Sequence, residues 1–288
     1  MKNIKTYIPS LIMSVILVFS LLGTSALVTA RGFRTPDKLI QLTEEKEIVP
    51  KIKDQLKIYF SDKYNETGVP AEIYTDALTD EYIQQSVGCM IEKGIYVMKD
   101  NGTRRFDVPQ NQQLEDNITR FFSDYADSIG YEKNEVYNEK LSKAIESAYD
   151  VIADYSDVYK FQTMNNEGLL TKFAKIYINF DKILLAVLAS VLVISVIILL
   201  INVKGISAVL YWLGVSAMIS GIIGLIPCIY LKATNYFDAF VIKQPQIFTS
   251  FTGLMYKVTD LFMLNQIILT AVGIIFVVIY SISNKKSE

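Results

Sequence analysis

Carboxylates are the residues of this chain whose types and spacing come nearest to doing chemistry. Asp150, Asp154 and Asp157 recur at three- and four-residue steps, and Asp80-Glu81 and Asp124/Asp127 form close pairs. Paired acids divide general-acid and general-base roles when their environments push their pKa values apart, and clustered acids bind calcium when a loop converges their oxygens. On a helix the three aspartates stand in a row along one straight face and do not converge, so they read as a solvated stripe. The close pairs read as helix-start acids and wet faces. The chain has no histidine, which removes the commonest general base, metal ligand and near-neutral proton switch. Its two cysteines, Cys89 and Cys228, are too few for a disulfide framework or a thiolate metal site and read as free packing residues. No glycine-rich phosphate loop, nucleophile elbow or basic nucleic-acid patch occurs. The expectation is a chain that is not an enzyme, uses no cofactor or metal, and binds no nucleic acid.

The elements that would position any site are set by the distribution of charge. Of 288 residues, 51% are hydrophobic and 20% charged, with a net charge of −2. Residues 6–30, 183–203, 205–231 and 261–284 contain no Asp, Glu, Lys or Arg. At about 1.5 Å per residue, roughly 20 apolar residues cross a hydrocarbon core about 30 Å thick, and each stretch is long enough. The expected fold is all-α: a four-helix transmembrane bundle with a large helical extracytoplasmic domain inserted between the first and second spans. Its parts are a first span at 1–30, the domain at 31–182, spans at 183–203, 205–231 and 261–282, an apolar outside loop at 232–260, and a tail at 283–288.

Lysines in short loops mark the cytoplasmic side. Lys2, Lys5, Lys204, Lys285 and Lys286 fall on one side of a four-span arrangement, which puts both termini in the cytoplasm of a cell membrane and residues 31–182 outside. The aromatic residues Tyr7, Tyr211, Trp212 and Tyr280 at the inner ends, and Tyr177, Tyr230 and Tyr256 at the outer ends, agree with that orientation. Val28 and Ala30 also fit the −3 and −1 positions of a signal-peptidase site. The uncharged run Tyr7–Ala30 has 24 residues, longer than the hydrophobic core of a signal peptide, so retention as a membrane helix is expected. Lysine outnumbers arginine 23 to 5, a bias resembling that of an AT-rich bacterium. The acceptor patterns at Asn65, Asn101 and Asn117 bear on a eukaryotic host alone.

Residues 31–182 carry 20 basic and 27 acidic side chains and show helical periodicity. The faces are Ile52, Leu56 and Tyr59; Ile83, Val87, Met90, Ile91 and Ile95; Leu114, Ile118, Phe121, Phe122, Tyr125 and Ile129; and Tyr137, Leu141, Ala144, Ile145, Ala148, Ile152, Tyr155 and Tyr159. Thr35-Pro36-Asp37, Thr79-Asp80-Glu81 and Asn134-Glu135 read as helix starts. Neither glycine nor proline occurs between Gly168 and Gly205, so one helix of about 35 residues, near 50 Å, is expected to run from the domain into the second span. A break at Asn179-Phe180-Asp181-Lys182 is the competing reading.

Within the membrane, Gly214, Ala217, Gly221 and Gly224 line one smooth face of the third span, a helix-packing device. Pro227 is expected to kink the outer end of that span. Asn265 and Gln266 are membrane polar contacts that either glue helices or line a solute path. Phe237, Phe240, Phe248 and Phe251 give the 232–260 loop an apolar surface that needs a cover, from the membrane, the outside domain or a protein partner.

The order of elements resembles that of mechanotransmitting ABC permease subunits, in architecture alone and without a shared motif. Two features depart from that pattern: the inside link is only Asn202-Val203-Lys204-Gly205, and no strands are expected outside. The functional expectation is therefore a multi-pass cell-envelope protein in a lipid bilayer, whose outside domain binds a partner and couples it to the bundle through the continuous helix. A channel or transporter component is the alternative.

Overall fold

The computed structural model describes residues 4–100, 102, 104–203 and 205–285. Lys2, Lys204 and Lys286 of the orientation argument, and Asn101 and Thr103, lie outside the described residues, as do the side chains of Lys5 and Lys285. The chain is 84% helical and has no strand among the described residues. The helices are α1 Ile4–Arg31, α2 Pro36–Glu45, α3 Ile48–Thr67, α4 Glu72–Thr75, α5 Asp80–Asp100, α6 Gln112–Ser128, α7 Glu135–Ser156, α8 Phe161–Asn166, α9 Leu169–Ile201, α10 Ile206–Ala233 and α11 Pro245–Lys285, with a 3-10 turn at Tyr236–Ala239.

Two compact units share these helices. One holds Met1–Arg34, Asn179–Phe240 and Met255–Glu288; the other holds Thr35–Ile178 and Val241–Leu254. Four helices are long and apolar enough to cross a membrane: α1, α9, α10 and α11. Their surfaces carry exposed Ile12, Phe19, Leu185, Leu192, Ile226 and Ile275, a density of bare apolar side chains that water would not tolerate. These helices mark a membrane protein. Helix α9 is unbroken across Asn179–Lys182, and the left-handed Gly168 before it (φ +68°) turns the chain where a side chain would be strained.

The region expected as a loop at 232–260 is largely helix. Only 234–244 lies between α10 and α11, and α11 runs 41 residues from Pro245. A proline at the first helical position needs no N–H partner, and its fixed φ suits the start. Of the apolar residues that looked like an uncovered loop, Ile247, Phe248, Phe251, Leu254 and Met255 instead recur at helical spacing along the first turns of α11, while Phe237 and Phe240 stay in the connection before it.

The unit of Thr35–Ile178 and Val241–Leu254 is built around α5, which contacts α2, α3, α7 and α8. Ile83, Val87, Met90 and Ile91 of α5 are buried with Ile48, Ile52 and Leu56 of α3, Leu114 and Ile118 of α6, and Ile152 of α7. These positions repeat every three or four residues, which is how one stripe per helix closes a core. Side-chain caps fix the starts. Thr79 accepts from Tyr82 N–H, Asn134 from Tyr137 N–H and Asn111 from Leu114 N–H. Thr35 precedes α2 in extended conformation but its hydroxyl makes no cap bond; Pro36 and Asp37 alone mark that start.

In the other unit α1 packs against α10, and Leu17, Ile194, Ile198, Val209 and Trp212 form a buried cluster. Lipid tails are as apolar as these side chains, so close packing and hydrogen bonds, rather than expulsion of water, must hold the helices together.

Candidate functional site

Three polar rungs tie α1 to each of the other apolar helices. Asn202, at the end of α9, donates to Ser10 Oγ at 2.8 Å and to Ile198 O at 2.9 Å. The hydroxyls of Ser14 and Ser216 of α10 lie 2.7 Å apart, and Ser216 also donates to Trp212 O. Asn265 of α11 donates to Thr29 Oγ1 at 3.0 Å. Ser10, Ser14, Thr29, Asn202 and Ser216 are all buried, where an unpaired amide or hydroxyl in hydrocarbon would cost several kcal/mol. Nineteen residues separate Ser10 from Thr29, about 28 Å along the helix, close to the thickness of a hydrocarbon core. Just beyond the Asn265–Thr29 rung lie two ion pairs, Arg34–Asp181 at 2.9 Å and Lys232–Asp260 at 2.5 Å. The Arg34 guanidinium also covers the Phe180 ring, 4.5 Å from its centre.

The small residues of α10 face α11 at backbone distance. A Cβ at Gly221 would lie 2.0 Å from Thr270 Oγ1 and 2.8 Å from Gln266 O, and one at Gly214 would lie 2.9 Å from Gly273 O. Gly273 supplies the reciprocal gap, since its Cβ would meet Met218 N at 2.4 Å. Ala217 is buried on the same helix. The two neighbouring amides of α11 part company. Asn265 is used in the rung to α1, whereas Gln266 is fully buried over Gly224 and neither of its carboxamide atoms has a hydrogen-bond partner among the described residues.

The acidic stripe is not uniformly wet. Asp150 is exposed and Asp154 pairs with Lys160 at 2.9 Å. Asp157 is buried, and its two oxygens accept from Phe161 N–H and Gln162 N–H at 2.8 Å each. It therefore caps α8 rather than facing solvent. The stripe misled because Asp157 is the last position of its helix face, where the chain turns over it. Burial outweighs the two donors and holds the Asp157 carboxyl above the usual carboxylate range. The folded chain then binds this proton more tightly than the unfolded chain. Its stabilising contribution is complete below the ordinary carboxylate pKa and falls as pH rises through the raised value. Asp157→Ala should cost about 1–2 kcal/mol by loss of the cap, and the fall in melting temperature should be larger at mildly acid than at neutral pH.

A cleft of about 430 Å³ in the α2–α8 unit is lined by Arg105, Asp107, Glu115, Glu146, Tyr149 and Asp150, among others. Tyr149 Oη accepts from Asn111 N–H at 2.7 Å and donates to Glu115 at 2.8 Å. Burial pushes its phenol up to about 12, so it stays a donor. Arg105 reaches Glu146 at 3.2 Å, and Lys93 holds Asp107 below the usual range. The carboxylates outnumber the cations, so the cleft suits a positively charged group. Asp80 pairs with Lys53 at 2.6 Å and Asp127 with Lys133 at 2.8 Å, so these acids are engaged in surface ion pairs. No group of residues among those described has the arrangement of a metal centre. Cys89 and Cys228 are both free thiols.

The four phenylalanines expected to form one surface fall into two sets. Phe237 and Phe240 follow α10 and stack at 6.5 Å between ring centres, while Phe248 and Phe251 belong to the first turns of α11 and are half-buried. In that second segment Lys51 donates to Thr249 Oγ1 at 2.8 Å, and Gly253 lies against the Lys46 side chain.

Comparison of the chain with protein-family models, with curated proteins and with solved structures finds no match.

Proposed function

We propose that this is a multi-pass, non-enzymatic cell-envelope membrane protein whose α2–α8 unit lies outside the cell, binds a partner, and couples that binding to the membrane helices. The observation that carries the reading is α9. It is one uninterrupted helix of 33 residues whose first ten belong to the α2–α8 unit and whose remainder belongs to the membrane unit. A helix without a glycine, proline or break transmits rotation and tilt along its length, whereas a jointed linker dissipates them. The lysine distribution supports the orientation, with both termini inside. The acidic cleft beside Tyr149 is the surface best suited to a basic partner segment.

Replacing Asn179-Phe180 by Pro-Gly interrupts α9 between the two units. The expected outcome is that partner-dependent changes in the membrane helices, read by a spin-label pair placed on α10 and α11, are abolished while partner binding persists. Unchanged transmission in the broken helix would overturn coupling through α9.

A channel or transporter component is the second reading, favoured by the fully buried carboxamide of Gln266, which has no hydrogen-bond partner among the described residues. Solute or ion flux in reconstituted vesicles, and its loss on Gln266→Leu, separates it from the first.

A further inference from the structure

We propose that the aromatic turn after α10 seats in the headgroup–acyl boundary of the bilayer and fixes how deep the α10–α11 pair sits. Tyr236 and Phe240 are exposed by 45% and 43%, although water is a poor solvent for them. They are held in a rigid cluster: Tyr236 lies 5.6 Å from Phe237 and 5.8 Å from Phe240, and Phe237 lies 5.2 Å from Tyr256 of α11, between ring centres. A turn that closes on itself through ring contacts presents a preformed apolar tip.

Two observations name lipid as the occupant. First, Ile222, Ile226 and Tyr230 are exposed at four-residue steps along α10, one continuous stripe that ends at the turn. Whatever medium covers Ile226 continues onto Tyr230, within one turn of the end of α10 and the start of the aromatic turn. Second, the turn lies at the right level. Lys232 and Asp260 pair five residues beyond the Asn265–Thr29 rung along α11, and charged side chains paired at this level mark the start of the headgroup layer. Tyr256 lies four residues, about 6 Å along α11, from the Lys232–Asp260 pair, within the headgroup layer that adds roughly 5–7 Å to each side of the hydrocarbon core. Tyr and Trp concentrate at this level because the ring is apolar and the hydroxyl is wet.

This inference rests on reading α10 and α11 as membrane-spanning, and the test separates the two. Phe240→Trp and, in a second protein, Ile226→Trp are reconstituted in phosphatidylcholine vesicles whose acyl chains carry bromine either near the carbonyl or near the methyl end. The signal of Trp212 is subtracted using the unsubstituted chain. Phe240→Trp is expected to be quenched several-fold more by shallow than by deep bromine and to be shielded from aqueous iodide; Ile226→Trp is expected to favour deeper bromine. If Ile226→Trp is quenched by lipid but Phe240→Trp is open to iodide, or is shielded from both quenchers by protein, the interfacial seat is overturned. If neither is quenched by lipid, the membrane-spanning reading fails with it. Tyr236→Trp, at an equally exposed position, repeats the measurement should Phe240→Trp not fold.

Discussion

Gly94→Ala should destabilise the α2–α8 unit by about 3 kcal/mol, near the upper end of what one extra methyl costs a packed core. A Cβ at position 94 would stand 2.3 Å from Phe161 Cγ and 2.6 Å from both Cδ atoms. The ring cannot swing aside cheaply. Phe161 is 6% exposed, its N–H is held by the Asp157 carboxylate, and Tyr159 stands 6.0 Å from it. Thermal unfolding of the full chain in detergent measures the loss. Gly88→Ala, on the same helix, is the contrast, because its new Cβ would meet only Ile40 Cδ1 at 3.6 Å. There the gain in helix propensity should raise stability by about 0.5–1 kcal/mol. Opposite signs for two glycine-to-alanine changes in one helix isolate packing from propensity. Phe161→Leu should recover much of the Gly94→Ala loss.

Gly273→Ala is the second large effect, and it falls in the membrane unit. Its Cβ would approach Met218 N at 2.4 Å, Gly214 O at 2.7 Å and Met218 Cα at 2.8 Å. All three are backbone atoms, so no rotamer change relieves the contact; α10 and α11 must separate. The cost should reach about 3 kcal/mol, and the separation would also unseat Gln266 from Gly224. Gly23→Ala, whose nearest neighbour would be Val187 Cγ1 at 3.9 Å, should leave the melting temperature nearly unchanged. A Gly273→Ala protein as stable as the parent in detergent and in vesicles would show that the α10–α11 contact is not the packing surface described.

The apolar helices were legible because a charge-free run of membrane length would be insoluble anywhere but in a bilayer or a very large core, and α9 because breakers are missing between Gly168 and Gly205. Thr79 and Asn134 were legible as caps because a cap bonds the N–H three residues on, within one short window of sequence. Asp157 was not, because its donors come after a reversal at left-handed Lys160 (φ 55°) that no local pattern announces. The start of α11 was hidden by Lys257 and Asp260, whose charges suggested an exposed loop, and by apolar residues that fit a loop or a helix equally. Of the neighbouring amides, sequence could mark both as polar in a membrane. It could not tell that Asn265 would meet Thr29 and that Gln266 would face a glycine, since those contacts join residues far apart in the chain. The small-residue face of α10 was visible, but its partner Gly273 was not singled out, because a lone glycine in an apolar helix has no signature until a second helix is laid against it.

The rungs of α1 impose an order on synthesis. Ser10, Ser14 and Thr29 find their partners 192, 202 and 236 residues later. At translation rates of about 5–20 residues per second, the first helix waits roughly 10 to 50 s for them. During that interval its hydroxyls can turn back onto their own carbonyls, as Thr29 does to Ser25 O at 2.9 Å, so the helix survives alone in lipid. Asn202 and Asn265 have no such shelter for a whole carboxamide. The last helices emerge already needing the first, and α1 serves them as a waiting template on which the bundle closes.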